Sequence, residues 1–232
     1  MKRCPDIKKK TMSEYRELLI GCGRSREKRI PTKEMVPDSP IKVVNGKDEW
    51  CNLTTLDMDE SCGPDVIADI RWFHPWRSAW RTKTFTSVGD LMEPVPKDSL
   101  GGYVQFKDSV FDEVHAYEVL EHLGGLGDYQ AYFADFSEIW RILKPGGLLC
   151  ATVPSRYSEG LWGDPGHCRS IPPMALTFLD QTEYARQCDG LKNSMSDYRS
   201  VYKADFHRVF SLETKDTHTF VLKAIKPSRI KL

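Results

Sequence analysis

Apolar residues in this chain gather in short runs, and each run ends in glycine, a carboxylate or proline. Leu18-Leu19-Ile20 runs into Gly21-Cys22-Gly23, and the segment from Trp50 through Leu53 to Leu56 ends at Asp57-Met58-Asp59-Glu60. Asp65-Val66-Ile67-Ala68-Asp69-Ile70 is a third short run that also closes on an acid, and Phe111–Tyr117 is a fourth. Leu148–Val153 reads as a fifth strand buried on both faces, ending at Pro154. Between the fourth and fifth runs the period changes: Tyr129, Tyr132, Phe133, Phe136, Ile139, Trp140 and Leu143 recur at helical spacing. Asp128 is placed to cap that helix, and Lys144-Pro145-Gly146-Gly147 stops it. A second helix is expected from Pro172 to about Gln187, and Phe206–Glu213 with Thr217–Ile225 read as a terminal hairpin. Strands alternating with helices over 232 residues predict one α/β domain, residues 1–232.

Three segments depart from this rhythm. Residues 1–16 are basic and polar and read as an arm over the sheet edge. Pro31, Pro37 and Pro40 allow only a short helix after the glycine turn. Residues 71–105 are dense in aromatics and bases, with Trp72, Trp76 and Trp80 spaced as one helical stripe that Pro75 interrupts. Such a stripe is first a packing surface, and alternatively a lid or stacking platform for an acceptor.

Charge and composition then narrow the function. The chain has 33 basic and 33 acidic residues, so no net field draws it to nucleic acid or an anionic membrane. It has no apolar run long enough to span a bilayer, and residues 1–10 lack the apolar core of a signal peptide, which predicts a cytoplasmic protein. Seven cysteines without a Cys-x-x-Cys pair predict reduced thiols and no metal site.

The candidate chemistry lies where three strands end. Gly21 and Gly23 make a turn that can approach a ligand closely, Asp57 can accept two ribose hydroxyls, and Asp69 closes the third strand. The same aspartates also suit turns or caps. In an open parallel sheet that shared edge is the ligand edge.

These residues resemble the class I S-adenosylmethionine-dependent methyltransferases. The resemblance covers roughly residues 17–155. It is carried by Leu-Ile-Gly-Cys-Gly at 19–23, Asn-Leu-Thr-Thr-Leu-Asp-Met-Asp at 52–59 and Pro-Asp-Val-Ile-Ala-Asp-Ile at 64–70. Its more specific part is the Leu-Glu-His-Leu at 120–123 followed by Arg-Ile-Leu-Lys-Pro-Gly-Gly at 141–147. It implies a Rossmann-like open sheet, mostly parallel, of seven strands with a C-terminal antiparallel hairpin and helices on both faces. It also implies S-adenosylmethionine as cofactor, S-adenosylhomocysteine as product and methyl transfer to a small-molecule or sugar-type acceptor. Gly21, Cys22 and Gly23 would approach the amino-acid portion of the cofactor, Asp57 the ribose, and Met58 the adenine. Asp69 would accept from the adenine amino group beside Ile70, and Tyr117 and Glu118 would lie near the methionine moiety. Leu19 and Ser25 stand where many members carry an acid and a third glycine. Residues 155–200 become the acceptor side. There His167, in Asp-Pro-Gly-His at 164–167, is a candidate general base or, more plainly, a loop staple, and His122 reads as structural. A nucleic-acid methyltransferase using the Arg/Trp segment and a non-catalytic cofactor-binding module are the alternatives, with a dinucleotide dehydrogenase more distant.

Overall fold

The computed structural model describes residues 14–32, 43–44, 47–70, 90–94 and 104–230. In chain order the strands are β1 (Glu17–Ile20), β2 (Val43–Val44), β3 (Lys47–Asp48), β4 (Leu53–Asp57), β5 (Val66–Ile67), β6 (Met92–Pro94), β7 (Val104–Phe106) and β8 (Phe111–Tyr117). Helix α1 (Tyr129–Ile142) follows, then β9 (Leu143–Pro154), α2 (Glu159–Gly163), α3 (Gln181–Ala185), β10 (Phe206–Glu213) and β11 (Thr217–Ala224).

The main sheet has seven strands in the order β10-β11-β9-β8-β1-β4-β5. Pairing is parallel from β9 to β5, and β11 and β10 close the other edge antiparallel. The chain winds outward from β1 in one direction through β4 and β5 and in the other through β8 and β9. Connections therefore diverge beside β1, which opens a crevice at the C-terminal ends of the central strands. Register fixes that edge: Ile20 lies opposite both Leu56 and Ala116, so β1, β4 and β8 end side by side. The two short hairpins, β2-β3 and β6-β7, lie outside this sheet.

The larger core lies between the sheet and α1. Leu18, Ile20, Leu56, Val114, Ala116, Leu149 and Val153 meet Phe133, Phe136, Ile139 and Ile142 there. Asp128 caps α1 as the sequence predicts, accepting from Ala131 N–H at 2.9 Å. On the opposite face Leu19, Cys22, Ile30, Tyr117, Cys150 and Val221 form a second cluster with Trp50 against it.

Several expectations change. Residues 21–32 contain no helix and cross this second face as irregular backbone. The third strand shrinks to Val66–Ile67; ahead of it Asp65 turns its carboxylate to the Thr55 backbone N–H and hydroxyl, accepting from each at 2.8 Å. The helix expected over 172–187 is a succession of a 3-10 turn (175–179), α3 and a wider turn (186–190), with Asp180 capping α3 through Thr182 and Glu183 N–H. Lys144–Gly147, expected to stop α1 before the next strand, are already part of β9. Most of the expected 71–105 insertion, including Trp72, Trp76 and Trp80, lies outside the described residues, as does most of the 1–16 arm. Among the described residues no helix is long and apolar enough to cross a membrane.

Candidate active site

A cleft of about 490 Å³ opens at the diverging strand ends. Gly21, Asp57, Met58, Asp69, Ile70 and Glu118 line it, and Val119, His122, Pro165, Gly166 and Cys168 form the facing wall. Six of the nine residues expected to bind a cofactor therefore share one cavity. The other three stand apart. Gly23 reaches the site through its backbone, donating its N–H to Asp57 Oδ2 at 2.8 Å. The Cys22 and Tyr117 side chains are buried in the cluster on the opposite face and do not line the cleft. For Tyr117 the cause is strand parity: Glu113, His115 and Tyr117 project to one side of β8, and Val114 and Ala116 to the other. Its hydroxyl accepts from Arg29 and Ile30 N–H at 3.2 and 3.3 Å, and burial pushes its pKa well up.

The cradle is built by backbone geometry. Gly21 has φ 63°, and a Cβ there would stand 2.2 Å from Val119 Cγ2, so the turn admits no side chain. Gly21 N–H donates to Leu56 O at 2.8 Å, holding the turn against the end of β4. Asp57 Oδ1 accepts from Asp59 N–H at 2.9 Å while Oδ2 takes Gly23 N–H, which fixes the carboxylate plane and leaves each oxygen a further lone pair. Glu118 occupies the left-handed region at φ 56°, held by its N–H to Thr152 O at 2.8 Å. A non-glycine residue in that conformation at a ligand edge is held there by its surroundings.

Behind the facing wall lies a cluster that sequence reasoning missed. Glu121 is 1% exposed in its side chain, and neither of its carboxylate oxygens has a hydrogen-bond partner among the described residues. Burial pushes its carboxyl up to about 8, with the nearby Glu118 and Asp164 charges adding to the rise. His122 and His167 pack edge to face beside it, ring centroids 4.6 Å apart. His122 Nδ1 lies 2.9 Å from Gly166 O, and His167 Nδ1 lies 3.2 Å from Leu161 O. A carbonyl only accepts, so each Nδ1 carries a proton, and the tautomer this selects has its lone pair on Nε2. His122, expected to be structural, both staples the loop at Gly166 and lines the cleft. A Glu-His dipeptide in a known spacing was the available signal, but its partner His167 is brought up only by the fold.

The wall is tied to the cofactor edge by main-chain bonds. Cys168 and Arg169 N–H both donate to Glu121 O, at 2.7 and 3.2 Å. Arg169 then clasps the next turn, donating to Leu123 O at 2.6 Å and Asp128 O at 3.0 Å, with its guanidinium over the Tyr132 ring.

Residues 96–151, which hold β8, Glu118–His122, α1 and most of β9, match the family model described as a methyltransferase domain. Over that segment, about a quarter of the chain, the sequence is similar to the methyltransferase domain. The cleft offers a carboxylate anchored at a strand end, a glycine turn at Gly21 closed to a Cβ by Val119, and apolar flanks at Met58 and Ile70. None of the curated proteins matches the chain. Among solved structures, a methyltransferase from Archaeoglobus fulgidus is 16% identical over 90% of this chain and 86% of its own, with a TM-score of 0.43. The N-methyltransferase NodS from Bradyrhizobium japonicum, bound to S-adenosylhomocysteine, is 13% identical over 92% of this chain and 82% of its own, TM-score 0.40. A mutant of the 16S rRNA (adenine(1408)-N(1))-methyltransferase from Catenulisporales acidiphilia is 15% identical over 93% of this chain and 87% of its own, TM-score 0.39.

Proposed function

We propose that this chain is an S-adenosylmethionine-dependent methyltransferase of class I acting on a small-molecule or sugar-type acceptor, seated between the cofactor and the wall formed by Pro165, Gly166 and Cys168. The observation that carries this reading is that one cleft of small-ligand size runs from Gly21 and Asp57 to that wall. A formal charge of zero supports it, since binding to a nucleic-acid backbone draws mainly on basic residues.

In this reading Asp57 takes the ribose hydroxyls and Gly21 and Gly23 border the amino-acid portion of the cofactor. Met58 and Ile70 flank the adenine, Asp69 accepts from its amino group, and Glu118 lies near the methionine moiety. Cys22 and Tyr117 support the cradle from beneath. The chain acts as one domain, with residues 155–200 setting acceptor choice. Catalysis is mainly positioning: the nucleophile attacks the methyl carbon in line with the departing sulfur. His167, the candidate general base or loop staple, belongs with Glu121 and His122 to the cluster at that wall.

The test is calorimetric titration with S-adenosylhomocysteine, followed by a screen of hydroxylated and amine acceptors. Micromolar binding and turnover on a small acceptor support the reading. Salt-dependent oligonucleotide binding, with methyl transfer to nucleic acid alone, would replace the small acceptor with a nucleic acid.

A further inference from the structure

We propose that Glu121, His122 and His167 form a binding site for a single divalent first-row transition cation, of the manganese, cobalt or zinc type, at the acceptor end of the cleft. One ligand atom from each of the three residues can be chosen so that all lie within 4.8 Å of one another. Glu121 Oε1 and His167 Nε2 are 3.9 Å apart. That is too far for a hydrogen bond. It is about 0.5 Å more than the roughly 3.4 Å separating two ligands with ~2.1 Å bonds at a tetrahedral angle, so a small closure brings both onto one ion.

Three independent features point to a cation. The first is the buried Glu121 carboxylate, whose two oxygens have no donor among the described residues. A buried polar group left without a partner is costly, and a bound ion is one of the few explanations that also uses its neighbours. The second is the imidazole arrangement: both rings spend their Nδ1–H on backbone carbonyls, of Gly166 and Leu161, and both leave Nε2 as the lone pair. Metal-bound histidines are held in this way, with the second nitrogen bonded outward to fix tautomer and ring plane. The third is the surrounding charge, since Asp164 Oδ2 lies 3.8 Å from His167 Nε2 and Glu118 acts on Glu121 as a neighbouring negative charge. Two imidazoles with a carboxylate suit a borderline transition cation better than magnesium, which favours oxygen and water.

The site's place gives it a task, and this part rests on the methyltransferase reading above. Of the three ligands His122 lines the cleft, with Gly166 and Cys168 beside it, while Glu121 and His167 lie behind that wall, so the acceptor would reach the ion from the His122 side. A hydroxyl bound there is acidified by the cation. Its proton leaves to solvent, the oxygen lone pair forms the new C–O bond, and the C–S pair stays with sulfur. The acceptor is then an alcohol or phenol, and His167 holds the ion instead of titrating as a base.

The experiment uses the full-length protein stripped with a chelator and dialysed into metal-free buffer. Cobalt(II), manganese(II), zinc(II) and, for comparison, magnesium(II) chlorides are titrated calorimetrically, with the cobalt visible spectrum recorded. The wild type is expected to take one equivalent of cobalt(II) with a ligand-field band, and to bind magnesium at least tenfold more weakly. Glu121→Gln and His167→Ala are each expected to lose at least tenfold in cobalt affinity while near-ultraviolet circular dichroism stays native. If a variant does not fold, the wild-type stoichiometry and spectrum decide alone. A folded wild type that takes no cation at millimolar concentration overturns the proposal, as do folded variants that bind as tightly as wild type. Cation uptake without any S-adenosylhomocysteine binding would leave the site standing and sink the cofactor reading.

Discussion

Two carboxylate-imidazole clusters flank β8, and they are finished in opposite ways. On one face Glu17, Glu113 and His115 are fully buried around Lys28, whose Nζ lies 2.5 Å from Glu17 Oε1 and 2.9 Å from Glu113 Oε2. His115 Nε2 stands 2.8 Å from Glu113 Oε2, Tyr15 and Thr32 hydroxyls donate to Glu113 Oε1 at 2.7 and 2.5 Å, and Cys51 N–H donates to Glu17. Past the end of the strand, Glu121, His122 and His167 bring together the same ligand types, with no ammonium between them and no hydrogen-bond donor to Glu121 among the described residues. Against the cost of burial, the bonds from His115 and Lys28 hold Glu113 far below the usual carboxylate range, while burial raises its neighbour Glu17 to about 8, as it raises Glu121, so the two clusters differ in their donors. A buried acid that the chain supplies with donors is architecture. One left without them, beside a cleft, is a place for something the chain does not contain.

The largest expected effect breaks the closed cluster. Lys28→Met leaves two buried carboxylates facing each other and is expected to cost about 3–5 kcal/mol, read by urea denaturation or as loss of soluble protein. A variant within about 1 kcal/mol of wild type would remove the distinction between the clusters. At the cleft, Asp57→Ala is expected to weaken S-adenosylhomocysteine binding by at least tenfold, since removing hydrogen bonds to a charged partner costs about 1.5–3 kcal/mol. Unchanged affinity would move the ribose away from β4. By contrast, Glu121→Gln in metal-free protein at pH 4, where the raised carboxyl is protonated, is expected to change stability by less than about 1 kcal/mol, because no native hydrogen bond to another residue is lost; a loss comparable to that of Lys28→Met would show the open cluster to be structural.

The smallest effect extends the rule to an acid with neither an ammonium in contact nor ligating neighbours. Asp135 is buried on α1, and burial pushes its pKa up to about 7 against the pull of Arg169. Its folded pKa exceeds its unfolded value, so the folded state holds a proton that the unfolded chain releases, and stability falls as pH rises from about 4 to about 7. Asp135→Asn is expected to match wild type at pH 4 and to gain of order 1 kcal/mol at pH 8, measured by denaturation at both pH values. A gain equal at both would place the effect in packing.

Much of this was legible along the chain. The helical spacing from Tyr129 to Leu143, the Asp128 cap and the terminal hairpin are local signals, and they appear as α1, β10 and β11. Gly21, Asp57, Asp69 and Glu118 could be placed on one edge because parallel strands end together. Tyr117 was within reach of the same logic, since the alternation along β8 already turns it toward Glu113 and His115. The ionic chemistry was not legible. Lys28 reads as one more base in a polar stretch, and only the path of residues 21–32 across the sheet buries its ammonium between Glu17 and Glu113. His167 and Glu121 are 46 residues apart, and their meeting depends on the main-chain bonds from Cys168 and Arg169 to Glu121 O.

Those bonds, with the Arg169 clasp, use carbonyls of Glu121, Leu123 and Asp128 and ask nothing of the exposed side chains in the loop they hold. Tyr157, Trp162 and Asp164 are exposed on that loop. Its surface is thus free to be rewritten by substitution while its attachment stays put, so the far wall of the cleft can drift over generations without retuning the edge formed by Gly21 and Asp57.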